Sequence, residues 1–316
     1  MRGTEIVTQA LELVAALAAA PLFLGWVNRC RAWLQNRRAP SLWLPYRTLR
    51  KLFFKDAVIA ETASPMFRIA PYVVFGAMVV AAGIIPSMGT RLPFTVAADA
   101  IALVGLLATA RVFLALAAMD IGTAFGTLGA RREMMVGFLA EPALLMVIFV
   151  ASLISATTAL PAITENLATQ SLGLYPSLAF TAVAFTLVLL AENARIPIDN
   201  PATHLELTMI HEAMALEYSA RHLALMEWAS ALKLFNYACI GFALFVPWGV
   251  STGSSSPLAL AASIPLLAVK LTVAGAGLAV IETVSAKLRV FRAPEFLATA
   301  FLFAVLGLLV HLLLGG

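Results

Sequence analysis

The chain is poor in the groups that serve a water-soluble enzyme, with two cysteines, four histidines and 12% charged residues in 316. Cys30 and Cys239 are too few and too far apart for a disulfide framework, a zinc site or an iron-sulfur cluster, so any redox cofactor must sit on a partner. The chain has no Ser-His-Asp order, paired-cysteine motif or Walker sequence, so nothing equips it for bond chemistry of its own. A small-residue cleavage site is also missing behind the first apolar run, which begins after Arg2 and Glu5 and carries Gln9 and Glu12. That run reads as a retained helix, not a signal peptide.

What the chain has in abundance is apolar surface: 61% of residues are hydrophobic and the mean hydropathy is +0.93. Several apolar runs exceed the roughly 20 residues that cross a bilayer. The fold class expected is all-α: one polytopic membrane domain over 1–316 with about eight spans, near 6–27, 69–88, 96–118, 136–157, 175–192, 224–248, 258–281 and 296–314. Basic residues crowd into alternate connections. The first, about 28–68, carries Arg29, Arg31, Arg37, Arg38, Arg47, Arg50, Lys51 and Lys55; the third, about 119–135, carries Arg131 and Arg132; the fifth, about 192–223, carries Arg195 and Arg221; the seventh, about 282–295, carries Lys287, Arg289 and Arg292. The loops between hold essentially only Arg91. The positive-inside rule then places the basic loops in the cytoplasm and both termini outside it, in the cell's inner (plasma) membrane. A net charge of +4 suits such loops and is no argument for nucleic acid.

Within the first loop, Tyr46 to Lys55 alternates basic and apolar residues at helical spacing, as an interfacial helix does. Part of that charge fixes topology, and the rest is available to dock a soluble partner. The glycines of Gly122, Gly126 and Gly129 invite a nucleotide-loop reading, but no strand precedes them and no Lys-Ser/Thr follows. A flexible cytoplasmic turn accounts for them better.

Ionisable groups are densest from Glu192-Asn193-Ala194-Arg195-Ile196-Pro197-Ile198-Asp199 to Glu217-Tyr218-Ser219. Each such group costs about 2.5–3.5 kcal/mol toward the centre of a membrane helix, so the cluster points to function. Pro197 and Pro201 break the chain, and Ala202 to Tyr218 then reads as one helix with Glu206 and Glu217 on nearly one face, as are His204 and His211. The two histidines lie roughly 10 Å apart along the axis, too far to share a metal ion. A solvated helix face, a proton-conducting surface and a partner-docking surface remain. Glu141 opens the fourth span and Glu282 closes the seventh; each is either part of an ion path or an interfacial carboxylate paired with an arginine. Lys233 and Lys270 read as snorkelling or structural pairs as readily as parts of an ion path. Arg111 and Glu12 are weaker candidates, and His311 is incidental.

Glu192-Asn193-Ala194-Arg195-Ile196-Pro197 resembles the E-x-N-R-x-P signature of the membrane subunit that holds the quinone tunnel of respiratory complex I. Further motifs are similar to the branch of that family found in group 4, membrane-bound nickel-iron hydrogenases. They are Pro45-Tyr46-Arg47-x-Leu49-Arg50-Lys51-Leu52, Asp120-Ile121-Gly122 through Gly129-Ala130-Arg131-Arg132-Glu133, Ala140-Glu141-Pro142, His204 through Glu212, and Ala286-Lys287-x-Arg289-x-Phe291-Arg292-x-Pro294-Glu295. The resemblance covers nearly the whole chain. Two departures from the complex I pattern favour the hydrogenase branch: the loop after Pro197 is less acidic and lacks a Gly-rich stretch, and Ala220 stands where a glycine would.

The resemblance implies a non-catalytic membrane anchor that couples a soluble redox arm to proton or sodium movement. Its partners would be the hydrogenase large and small subunits, an iron-sulfur protein and antiporter-like membrane subunits, with the nickel-iron centre and iron-sulfur clusters in those partners and no cofactor or metal here. The ion-coupling path expected comprises Glu141, Glu192, Arg195, Asp199, Glu206, Glu212, Glu217 and Glu282. Partner docking is expected at Arg47, Arg50, Lys51, Arg131, Arg132, Lys287, Arg289 and Arg292. Two other readings stay open: the quinone-site subunit of a complex I-type NADH dehydrogenase, and an independent secondary transporter, for which no internal repeat is evident.

Overall fold

The computed structural model describes residues 2–90, 93, 99–169, 175–199, 210–251, 257–286 and 292–314. Eleven helices account for most of these: α1 (Arg2–Leu34), α2 (Leu44–Phe53), α3 (Pro65–Ile84), α4 (Ala100–Asp120), α5 (Ala124–Ser155), α6 (Leu160–Thr169), α7 (Pro176–Glu192), α8 (His211–Ala215), α9 (Ala220–Phe245), α10 (Pro257–Val284) and α11 (Ala293–Leu314). Among the described residues there are no strands, only two isolated bridges, Gly89 to Ser251 and Asp99 to Ala159. An apolar solvent leaves backbone polar groups no partner but one another, which selects helices wherever the sequence is apolar for long enough.

Seven of these helices are long and apolar enough to cross a membrane, and α7 is a shorter apolar helix of 17 residues. At 1.5 Å per residue α7 extends about 25 Å, at the lower limit for a bilayer core. Where about eight spans were expected, the structure has seven helices of spanning length and one shorter apolar helix. Local chemistry fixes several helix starts. The Ser64 hydroxyl accepts from the Met66 N–H at 3.1 Å with Pro65 in the first turn, and Asp99 Oδ1 accepts from the Ile101 N–H at 3.0 Å.

Helix α9 is the central post, packed against α1, α3 and the short α2; α4 joins α3 to α5, and α5, α7 and α11 pack on one another. Small residues permit the close approach: Ala224, Ala229, Ala231, Ala238 and Ala243 are all buried along α9. Tyr218, just before α9, is stacked on Phe67 at 4.0 Å between ring centroids and donates to the Phe67 carbonyl at 3.0 Å, which ties the end of the fifth connection to α3.

Three local expectations are corrected. Hydropathy placed the fourth span at 136, but α5 begins at Ala124, so Arg131, Arg132 and Glu133 are helical and Glu141 sits mid-helix instead of opening it. The glycines from Gly122 to Gly129 are not a flexible turn. Only Gly122, at φ +73°, lies in one; Gly129 is packing surface on α5, where an added Cβ would come within 2.9 Å of the Ile210 carbonyl and 3.0 Å of Ala213 Cβ. Finally, the single helix expected over 202–218 is, in its described part, only α8, with a bend at Ile210 and a turn at Leu216 and Glu217. The reason is Asp199. Its Oδ2 accepts from the N–H groups of Ile210 at 3.1 Å and His211 at 3.3 Å, starting a new helix there.

Candidate functional site: a buried charge cluster beside a cavity

Arg111, in the middle of α4, is the hub. It is 4% exposed, and its guanidinium faces three carboxylates from two other helices: Glu141 at 2.5 Å and Glu133 at 3.5 Å on α5, and Glu192 at the end of α7. Lys233 on α9 closes the group, 3.0 Å from the other oxygen of Glu192, and His211 Nδ1 stands 3.6 Å from Glu133. Five helices therefore meet in one ionic cluster. The formal charges of its three carboxylates and two cations sum to −1, and one added proton neutralises that sum.

A second cluster lies nearby. Glu282 on α10, itself buried, accepts from Arg195 at 3.2 Å and from Arg31 at 3.4 Å, for a net charge of +1. Burial pulls the Arg195 guanidinium below the ordinary arginine range, and Glu282 opposes that by stabilising its charge. Between the two clusters is a cavity of about 340 Å³ whose wall includes Arg31, Arg111, Glu133, Arg195 and Lys233 on its charged side and Val74, Met78, Leu107 and Leu114 on its apolar side.

The sequence-derived site residues divide accordingly. Glu141, Glu192, Arg195 and Glu282 are all in the two clusters. Glu212 is exposed at the cavity wall; Glu217 is exposed in the turn after α8 and is not part of that wall; Asp199 is the cap of α8. Glu206 lies outside the described residues, as does His204. Of the docking residues, Arg47, Arg50, Lys51, Arg131 and Arg292 are exposed and Arg132 is half-buried, while Lys287 and Arg289 lie outside the described residues. Sequence reasoning ranked Arg111 too low and passed over Glu133 as a site residue. The available signal was an arginine at the centre of a 21-residue apolar helix, with no way to snorkel to either end.

One glycine makes the hub possible. A Cβ on Gly137 would strike the Arg111 side chain, 2.7 Å from Cδ and 2.9 Å from Cζ. Gly137→Ala is expected to destabilise the protein by about 1–3 kcal/mol through overpacking and to shift the guanidinium off its carboxylates. Gly105→Ala on α4, where a Cβ meets nothing within 4 Å, should be neutral. Thermal unfolding of the detergent-solubilised protein distinguishes the two; equal midpoints would contradict the packing role of Gly137.

A helical bundle with this hydropathy and these internal ion pairs defines a polytopic membrane protein with a buried ionisable site. A family model described as NADH dehydrogenase matches residues 8–313, and the chain belongs to that family, the one of complex I subunit 1. It is 35% identical over 248 residues to hydrogenase-4 component C of Escherichia coli (strain K12), covering 78% of this chain and 77% of that one. It is 33% identical over 301 residues to formate hydrogenlyase subunit 4 of the same organism, covering 94% of this chain and 95% of the relative. In fold it matches a chain from the membrane-bound sulfane sulfur reductase, an archaeal respiratory membrane complex, with a TM-score of 0.83 at 20% identity over 96% of this chain and 98% of that chain.

Proposed function

We propose that this chain is the membrane anchor and ion-coupling subunit of an energy-converting nickel-iron hydrogenase complex. The observation that carries the reading is the Arg111 cluster: buried Arg111, Glu133 and Glu192 with half-buried Glu141 and Lys233 beside a cavity, one proton away from neutrality. A soluble arm seated over the basic connections would change the field at the cavity as its clusters are reduced, and the cluster would answer by taking or releasing a proton toward the antiporter-like neighbours. The redox centres belong to the partners in this reading: hydrogenase large and small subunits and an iron-sulfur protein. The site would lie in the cell's inner membrane with the basic loops in the cytoplasm and both termini outside.

The arm is held in part by α2. Its exposed Arg47, Arg50 and Lys51 project from a helix whose Leu49 is buried against the bundle and whose Trp43 and Tyr46 rings lie 5.5 Å apart at the start. Reversing the three cations to glutamate is expected to release most of the hydrogenase activity from washed membranes at moderate salt, where screening leaves only short-range attraction. An arm that stays fully membrane-bound would show that α2 does not dock it.

The apolar wall of the cavity favours a second reading, a quinone site in an NADH dehydrogenase complex. The subunits that copurify with the chain separate the two.

A further inference from the structure

At the other end of the bundle, a further buried carboxylate has no part in either charge cluster. Glu12 on α1 is 1% exposed. Its Oε1 takes three hydrogen bonds, from the Ser87 N–H at 3.1 Å, the Ser87 hydroxyl at 2.6 Å and the Met88 N–H at 2.8 Å. Its Oε2 is buried with no hydrogen-bond partner, though the Gly89 N–H is close by. Capping the turn after α3 needs only the first oxygen. An amide would keep the Oε1 cap but turn a donor toward the Gly89 N–H, where the carboxylate presents an ionisable oxygen.

The surroundings supply a route to the carboxylate through Ser87, whose hydroxyl donates to Oε1. A small cavity of about 10 Å³, lined by Ser87, Cys239, Ser263 and Lys270, lies against the same turn; that is the room one water molecule needs. Lys270 on α10 is half-buried there, donating to the Val246 carbonyl at 2.6 Å. Helix α9 joins this end to the coupling cluster. Lys233, Asn236 and Cys239 recur one per turn on it, so Lys233 and Cys239 are separated by about 9 Å of helix rise. Asn236 is fully buried, its Nδ2 donating to the Met78 carbonyl at 3.0 Å and its Oδ1 without a partner, and the Tyr237 hydroxyl is buried beside Glu192. These are the described polar side chains of α9 between the two ends, and each offers a water a hydrogen bond.

We propose that Glu12 is a second proton-binding group, which exchanges protons with the membrane face remote from the Arg111 cluster through the one-water cavity and Lys270. The step balances as a transfer. An O–H bond forms on Glu12 Oε1 as the Ser87 hydroxyl, 2.6 Å away, gives up its proton; the cavity water restores that hydroxyl and the Lys270 ammonium restores the water. The return reverses each transfer, so ionised Glu12 with charged Lys270 alternates with the neutral pair. The titratable groups facing the site are Lys270 and Cys239, with Glu165 held at Thr90 in the neighbouring loop at 2.5 Å.

This inference rests on the ion-coupling reading above, so the test runs two variants together. Redox-driven acidification per turnover is measured in vesicles carrying the whole complex with Glu12→Gln or with Glu192→Gln. Glu12→Gln keeps the Oε1 cap, so assembly is expected at normal levels while acidification per turnover falls about tenfold or more. If Glu192→Gln loses acidification and Glu12→Gln does not, the proposal for Glu12 is overturned and the coupling reading stands; if neither loses it, both fall. Loss in Glu12→Gln alone would support the remote path and remove the Arg111 cluster from it. Should Glu12→Gln fail to assemble, Lys270→Met decides, with undiminished acidification overturning the proposal.

Discussion

Replacing Arg111 with leucine should abolish assembly of the protein in the membrane. The substitution removes the cation that Glu133, Glu141 and Glu192 share and leaves three carboxylates around Lys233, moving the cluster from a net charge of −1 to −2 in a site where Glu133 and Glu192 are buried. Removing one member of a buried ion pair costs about 3–5 kcal/mol, a large part of the stability a domain has to lose. Arg111→Lys keeps the charge but not the planar fork that reaches three carboxylates at once, and should recover only part of the yield. The sharper check is the double variant Arg111→Leu with Glu192→Gln, which removes an orphaned charge along with its partner. It is expected to accumulate above Arg111→Leu alone, with a coupling energy of about 1–3 kcal/mol in a double-mutant cycle. Additive losses would mean that the two side chains do not act as a unit.

Glu192→Gln should do the opposite: leave the protein assembled and disconnect redox turnover from ion movement. The amide has the carboxylate's shape, Arg111 retains Glu133 and Glu141, and Lys233 still finds an oxygen. The cluster's net charge rises from −1 to 0 with no proton bound, so the change that a proton would bring is already made. Acidification per redox turnover is expected to fall about tenfold or more at normal levels of the complex. Undiminished acidification would remove Glu192 from the ion path, and loss of the complex would make it a structural ion-pair member.

Much of the site was legible in the sequence because charge in an apolar run is costly wherever the chain goes. That reasoning singled out Glu141, Glu192, Arg195 and Glu282, and all four are in the two clusters. Arg111 was harder to read because its partners are 30 and 81 positions away along the chain, and nothing local in the sequence names them. Only the packing of α4 against α5 and α7 turns it into a hub. Glu133 was missed for a related reason. Hydropathy marks where an apolar run begins, and α5 starts 12 positions before that point because its polar first turns are packed against α8 and paired with Arg111 and His211.

The fifth connection shows a different limit. Helical spacing over 202–218 was consistent, yet periodicity carries no information about a cap delivered from outside the segment. Asp199 supplies one at Ile210 and His211, and the helix starts there. Ala220, where the complex I pattern that the sequence resembles would have a glycine, departs from it in side chain and not in backbone: the residue holds φ at +48°, the left-handed region that glycine favours.

The central claim is that this chain serves a hydrogenase by coupling it to ion movement, and copurification tests that most directly. The chain, affinity-tagged and drawn from its native membrane in mild detergent, should bring with it in equal amounts a nickel-iron large subunit, its iron-sulfur partners and antiporter-like membrane subunits. Recovery of an NADH-oxidising module instead, or of the chain alone, would contradict the account.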